Sequence, residues 1–189
     1  MKRIVVIGPE SSGKTTIAEH IAAHYGCVLV TEFARDYLDY LQRPYEQEDL
    51  LTIAQGQTDA EQSARVKIRL KANSKFSSRF KTKAQPTDLI ICDTDLRVIR
   101  VWSMWKYNSC EAWIETQIKT IKTDLYLLCK PDIPWMPDPL RENPDPADLQ
   151  ALYELYKADL ERDGQKYVEI EGDGKVRLAA AVRAVSRVL

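Results

Sequence analysis

The string Gly8-Pro9-Glu10-Ser11-Ser12-Gly13-Lys14-Thr15 constrains this chain more than any other feature. It fills every fixed position of G-x-x-x-x-G-K-[ST]. It also stands between a short apolar run, Ile4-Val5-Val6-Ile7, and an amphipathic helical pattern from Lys14 to about His24. A strand that turns through glycine into a helix aims main-chain N–H groups and the positive end of the helix dipole at one point, where a polyphosphate is held. Gly8 and Gly13 remove the Cβ atoms that would keep the backbone away from it. Lys14 is the expected partner of the β- and γ-phosphates, Thr15 of Mg²⁺ and Thr16 of the α-phosphate, while Glu10, Ser11 and Ser12 complete the cradle. ATP and Mg²⁺ are therefore the expected cofactors.

The rest of the chain repeats the strand-to-helix rhythm. Candidate strands are Arg3–Ile7, Cys27–Thr31, Asp88–Cys92, Asp124–Cys129 and Lys166–Ile170. Their apolar runs are continuous rather than alternating, as in parallel strands covered on both faces. Val176–Leu189 has helical spacing and is expected to pack on the sheet. The reading is an α/β protein of the P-loop NTPase fold, with a five-stranded parallel sheet flanked by helices. The 189 residues are read as a single domain. Lys130–Pro146 interrupts the rhythm, with prolines at 131, 134, 137, 139, 144 and 146. That density forbids regular helix or central strand, so the segment at about 130–146 is expected to be a loop serving as a Pro-rich lid.

Composition narrows the partners. A net charge of -1 gives no general attraction to nucleic acid or anionic lipid. Arg65–Lys83 carries eight Lys/Arg without an acid, but its two phenylalanines do not interleave as a nucleic-acid surface requires, so a solvated helix end is expected. Cys27, Cys92, Cys110 and Cys129 form no Cys-x-x-Cys pair and read as thiols of a reducing compartment. Four apolar residues before the glycine loop are too few for a signal peptide or a membrane span. The expectation is a cytoplasmic protein with a small-molecule substrate, no nucleic acid and no membrane. The oligomeric state is not legible.

The class of P-loop protein turns on the other motifs. Thr82-Lys83-Ala84-Gln85 lacks the acid that reads guanine, and Cys92-Asp93-Thr94-Asp95 lacks the Asp-Glu pair usual in an AAA-type motor. A small-molecule kinase needs a phosphate cradle, a carboxylate near the magnesium, a carboxylate for the acceptor hydroxyl, and lid cations. Glu32 and Asp93 follow candidate strands, and ligands of parallel sheets sit at carboxyl ends of strands. Thr31 and Asp93 are equally suited to cap the helices that follow them.

Thr31-Glu32-Phe33-Ala34-Arg35-Asp36-Tyr37, Ile91-Cys92-Asp93-Thr94-Asp95, Asp124–Leu128 and Pro131-Asp132-Ile133-Pro134-Trp135, with Asp138-Pro139-Leu140-Arg141 beyond, resemble the ribosylnicotinamide kinase domain of the bacterial NadR proteins. The resemblance runs from Met1 to about Arg177. It implies a P-loop kinase that phosphorylates nicotinamide riboside to the mononucleotide, and it carries over at Gly8–Thr15, Glu32, Arg35, Asp93, Asp95, Trp135 and Arg141. Larger NadR proteins also hold a nucleotidyltransferase domain with a His-x-x-His signature. The two histidines here, His20 and His24, lie on the helix after the P-loop, so a free-standing kinase module is expected. Ala147–Leu152 contains no cation where the family pattern often has one.

The expected catalytic set is Lys14, Glu32, Asp93 and Arg141, with Thr15 and Asp93 on the metal. Glu32 or, alternatively, Asp95 would take the proton of the 5′-hydroxyl. A cationic pyridinium ring is held by aromatic faces and carboxylates. Glu32, Arg35, Asp36, Tyr45, Asp95 and Trp135 are therefore the expected substrate residues. Tyr37, Tyr40, Trp102 and Trp105 are further aromatic candidates, and Gln55 and Gln57 are weighed as ribose contacts against an exposed helix face.

Overall fold

The computed structural model describes residues 1–73 and 88–189. β1 (Lys2–Ile7) is the axis of the sheet. Ile4, Val5, Val6 and Ile7 are each fully buried, and each contributes about 1.5–3 kcal/mol by leaving water. Their alternation feeds both faces: Val5 and Ile7 enter one apolar cluster, Ile4 and Val6 the other.

β1 pairs in parallel with β3 (Leu89–Asp93) on one side and β4 (Leu125–Cys129) on the other. β2 (Val28–Val30) adds to β3, and β5 (Tyr167–Ile170) adds to β4. The order is β2-β3-β1-β4-β5; the five parallel strands are those the sequence predicts, and the order is the structure's. α1 (Lys14–Tyr25) and α7 (Gly174–Ser186) cover one face. α3 (Gln47–Asn73), α4 (Leu96–Tyr107) and α6 (Pro146–Arg162) cover the other. α2 (Phe33–Leu41) and α5 (Ala112–Thr120) join α3 and α4 in a third cluster.

Between Cys129 and α6 the chain forms neither helix nor strand. α6 begins where the proline run ends, with Pro146 in its first turn and the Asp145 carboxylate accepting the Ala147 N–H at 2.8 Å. Arg177 anchors the start of the irregular segment, donating to the carbonyls of Lys130 (2.7 Å) and Ile170 (3.1 Å) and pairing with Asp132.

Cys92 and Cys129 are buried on β3 and β4; Cys27 and Cys110 are half-buried. No helix among the described residues is long and apolar enough to cross a membrane. The basic run 65–83 starts on α3, and its residues from 74 on lie outside the described residues.

Candidate active site

The carboxyl ends of β1 and β2 open on one cleft of about 160 Å³. Its floor is the loop from Gly8 to Lys14. Gly8 has φ +145°, and a Cβ there would lie 2.6 Å from the Cys129 carbonyl oxygen, so neither the turn nor the packing tolerates a side chain. Gly13, at φ +77°, opens α1. The Ser12 hydroxyl and the Lys14 ammonium both donate to the Pro9 carbonyl at 2.7 Å, which curls the loop. Gly8, Glu10, Ser11, Ser12, Gly13, Lys14, Thr15 and Thr16 all line the cleft, as expected.

Glu32 lines the same cleft at the end of β2. It occupies the N-cap of α2 without giving its carboxylate to the helix. Burial pushes its pKa up, Lys14 pulls it back and Asp93 pushes further. Two residues of α3 hold this turn. Gln57 accepts the Phe33 N–H at 2.8 Å and donates to the Thr31 carbonyl at 3.3 Å, gripping the backbone on both sides of Glu32. Gly56 leaves room for the Phe33 ring, which would lie 2.2 Å from a Cβ. Gln57 is thus buried, neither a ribose contact nor an exposed face; Gln55 is exposed. The sequence signal available for this was a glycine in the middle of a long helix.

Asp93 closes β3, is 2 % exposed and, like Asp95, is not among the residues that line the cleft. Its Oδ1 is buried without a hydrogen-bond partner in the structure. Burial raises its pKa, while the Thr15 hydroxyl and the Lys14 charge lower it. A buried carboxylate oxygen with nothing to accept, beside a threonine hydroxyl and an ammonium, is a hard-oxygen arrangement suited to Mg²⁺.

Asp95 requires a correction. It does not line the cleft. Oδ2 accepts from Tyr126 at 2.9 Å and from Arg3 at 3.3 Å, and Oδ1 accepts the Arg97 N–H at 3.0 Å as the N-cap of α4. A carboxylate so fully engaged by its own protein, and outside the cleft, serves the fold. Capping was expected of Thr31 and Asp93; the residues at the N-caps are Glu32 and Asp95.

Other expected substrate residues divide. Arg35 lines the cleft and donates to Asp138 at 3.1 Å. Asp36 does not line it and is exposed on the first turn of α2. Tyr45 stands one layer back, its ring stacked on Trp102 at 5.6 Å and its hydroxyl on Glu142 at 2.8 Å. Trp102 itself forms part of the wall. Trp135 is half-buried in the proline-rich segment, outside the lining. Tyr37 is bound to Asp49 at 2.7 Å, and Tyr40 and Trp105 are exposed. The sequence reading missed Ala34, Leu38, Val98, Leu140 and Tyr156 in the wall. Tyr156 is buried on α6, and its burial next to Glu32 and Glu10 drives its phenol pKa far up. Nothing but the helical period marks these as wall rather than core.

The proline-rich segment lies against the phosphate loop. Ser11 Oγ accepts the Met136 N–H at 3.0 Å and Arg141 at 3.3 Å, and Arg141 also donates to the Met136 carbonyl. Arg141 and Leu140 line the cleft from this side.

A family model described as an AAA domain matches residues 3–177. Over the whole chain, 22% of residues are identical to the trifunctional NAD biosynthesis/regulator protein NadR of Salmonella typhimurium strain LT2, of which the match covers 43%. A NadR protein crystallised in complex with NR superimposes with TM-score 0.77 at 24% identity, over 99% of this chain and 51% of that one. A thymidylate kinase from Ehrlichia chaffeensis superimposes at 0.53 and 15% identity, over 99% and 97%. The resemblance to NadR and the P-loop fold are thus both found. The chain spans about half the length, or less, of the NadR relatives it matches.

Proposed function

Because the chain belongs to the AAA domain family and carries an intact phosphate loop, we propose that it is an ATP-dependent kinase that phosphorylates nicotinamide riboside on its 5′-hydroxyl. Membership also amends one expectation: a chain without the Asp-Glu pair falls in a family of that description. In this reading residues 1–189 act as one kinase domain in the cytoplasm, with 130–146 as its lid.

One observation carries the reading. Glu32 shares a cleft with Lys14, Thr15 and Arg141, and Asp93, at the end of the neighbouring strand, pushes the Glu32 pKa up while the Lys14 charge acts on both acids. The acceptor oxygen attacks the γ-phosphorus as the bond to the bridging oxygen breaks, and ADP leaves with those electrons. Glu32, whose raised pKa makes it a better base than an ordinary carboxylate, orients the hydroxyl and takes its proton. Lys14 and Arg141 offset the charge on the transferring group. Thr15 and Asp93 would hold Mg²⁺, which when bound supplies charge neutralisation at the phosphates.

The relative bound to NR and the matched length support the acceptor. The wall of Trp102 backed by Tyr45 offers an aromatic face to a cationic ring, with Glu32 as the nearby negative charge. Incubation with ATP and nicotinamide riboside, read by mass spectrometry, should yield the mononucleotide and ADP. Turnover of another nucleoside or nucleotide with none of this one would overturn the acceptor. Nucleotide binding without transfer to any acceptor would overturn the kinase.

A further inference from the structure

Glu10 stands at a variable position of the phosphate loop, and its carboxylate faces an unusual set of partners. Oε1 accepts the main-chain N–H of Asn143 at 2.6 Å. Oε2 accepts the main-chain N–H of Glu142 at 3.1 Å and the Asn143 side-chain amide at 3.5 Å. All three donors lie in the proline-rich segment, more than 130 residues away in sequence and directly after Arg141. An acid in a loop that binds polyphosphate should weaken binding by repulsion, so its presence calls for a reason.

Arg177 ties down the start of that segment at Lys130 and Asp132, and within it Asp138 accepts the Leu140 N–H on its carboxylate and the Arg141 N–H on its carbonyl. The segment has no helix or strand of its own, and its prolines remove donors. Its other ties to the phosphate loop are single bonds to Ser11. On the opposite flank Glu142 takes Lys106 at 2.9 Å and Tyr45 at 2.8 Å, and Asp138 takes Arg35 at 3.1 Å. Those contacts are made by side chains of the segment. The Glu10 carboxylate reaches across from the phosphate loop to two consecutive main-chain N–H groups, which fixes backbone rather than side chain, and charge-assisted bonds of this kind are about twice as strong as neutral ones.

We propose that Glu10 is a positioning residue for phosphoryl transfer: by gripping the backbone at Glu142 and Asn143 it holds the Arg141 guanidinium over the phosphate loop. The inference rests on the kinase reading for what Arg141 does, but the grip itself is independent of it. Placing the loop carboxylate on these N–H groups also neutralises much of its repulsion toward a bound nucleotide.

Hydrogen exchange on the full chain tests the grip without any substrate. In Glu10→Ala the amides of Glu142 and Asn143 should exchange about tenfold faster or more, with amides of β1 and β4 unchanged. Glu10→Gln, which keeps the shape of the side chain and one acceptor, should fall between and guards against misfolding of the alanine variant. In turnover assays kcat should fall roughly tenfold to a hundredfold while the KM for ATP shifts less than about threefold. Unchanged exchange at both amides in the two variants would overturn the proposal. So would a rise in KM for ATP with kcat preserved, which would make Glu10 a nucleotide contact. If exchange rises but the wild-type protein transfers phosphate to no acceptor, the grip stands and the kinase reading falls.

Discussion

Asp93 and Asp95 are one residue apart and almost equally buried, at 2 % and 4 % exposure, yet the chain surrounds them in opposite ways. Asp95 accepts from Arg3, Tyr126 and the Arg97 N–H, and Arg3 is shared with Glu61 through bonds of 2.9 and 2.8 Å. Asp93 has the Thr15 hydroxyl beside one oxygen and nothing on the other. The sequence reading sent Asp93 to the crevice as the acid that follows a strand, and Asp95 to the substrate through the NadR resemblance. Thr94 stands between them. Its φ of +71° is the left-handed region, which costs a β-branched residue on the order of 1–3 kcal/mol, and its N–H is tied to the Val6 carbonyl at 3.0 Å. One strained residue therefore separates a carboxylate with a buried, unpartnered oxygen from one spent on the fold.

The comparison is broken or sharpened first by kinetics. Glu32→Gln should lower kcat about a thousandfold, within the range for a lost general base. Asp95→Asn, assayed on folded protein at low temperature, should stay within about tenfold of wild type, since it touches no reacting atom. A thousandfold loss in Asp95→Asn with Glu32→Gln active would restore Asp95 as the base, and the reading of its hydrogen bonds would be wrong.

Stability should move the other way, and with opposite signs at the two acids. Asp95→Asn removes a buried anion from Arg3, Tyr126 and the α4 cap. The loss should lie near the lower end of the range for breaking a buried ion pair, about 3 kcal/mol, because Glu61 still neutralises Arg3. Asp93→Asn removes a buried charge that the protein alone does not pair, so urea unfolding of that variant at neutral pH should show a gain of roughly 1 kcal/mol, or about 2–4 °C in Tm. A destabilised Asp93→Asn would mean that this carboxylate supports the fold after all.

The same physics separates what the sequence revealed from what it hid. Gly8–Thr15 was legible because its spacing is dictated by a ligand and its neighbours in sequence are its neighbours in space. The five strands were legible because Ile4–Ile7, Leu89–Cys92 and Leu125–Cys129 are apolar without a break. The side chains that complete the cleft were not, because they arrive from far away: Tyr156 and Val98 have the period of any buried helix face, and Gln57 reaches a turn 24 and 26 residues away. Tyr45 and Trp135 were chosen for residue type, and type does not say which face of a ring meets the cleft. Asp95 was chosen through the resemblance and as a carboxylate for a cationic ring, and neither shows that Thr94, at φ +71°, separates its surroundings from those of Asp93.

The smallest expected effect is the pH dependence of the Asp93 difference. Burial raises the folded-state pKa of Asp93 above its unfolded value, so the folded protein holds that proton more tightly. The stability this contributes is fully present below the ordinary carboxylate value of about 4 and is lost as pH rises through the raised folded value. The advantage of Asp93→Asn over wild type should therefore be close to nil at the acid end and grow to its full size at neutral pH, since only the wild type carries the buried charge there. Asp49 is the opposite case: hydrogen bonds from Arg43 hold it down to about 2, so any stability it adds is present above the ordinary value and lost as pH falls through the depressed one. Asp49 is common to both proteins and cancels in the difference. Urea unfolding of the pair from about pH 3.5 to 8 isolates Asp93, and a difference that does not change with pH would mean its carboxylate titrates like one in water, which its buried and unpartnered Oδ1 argues against.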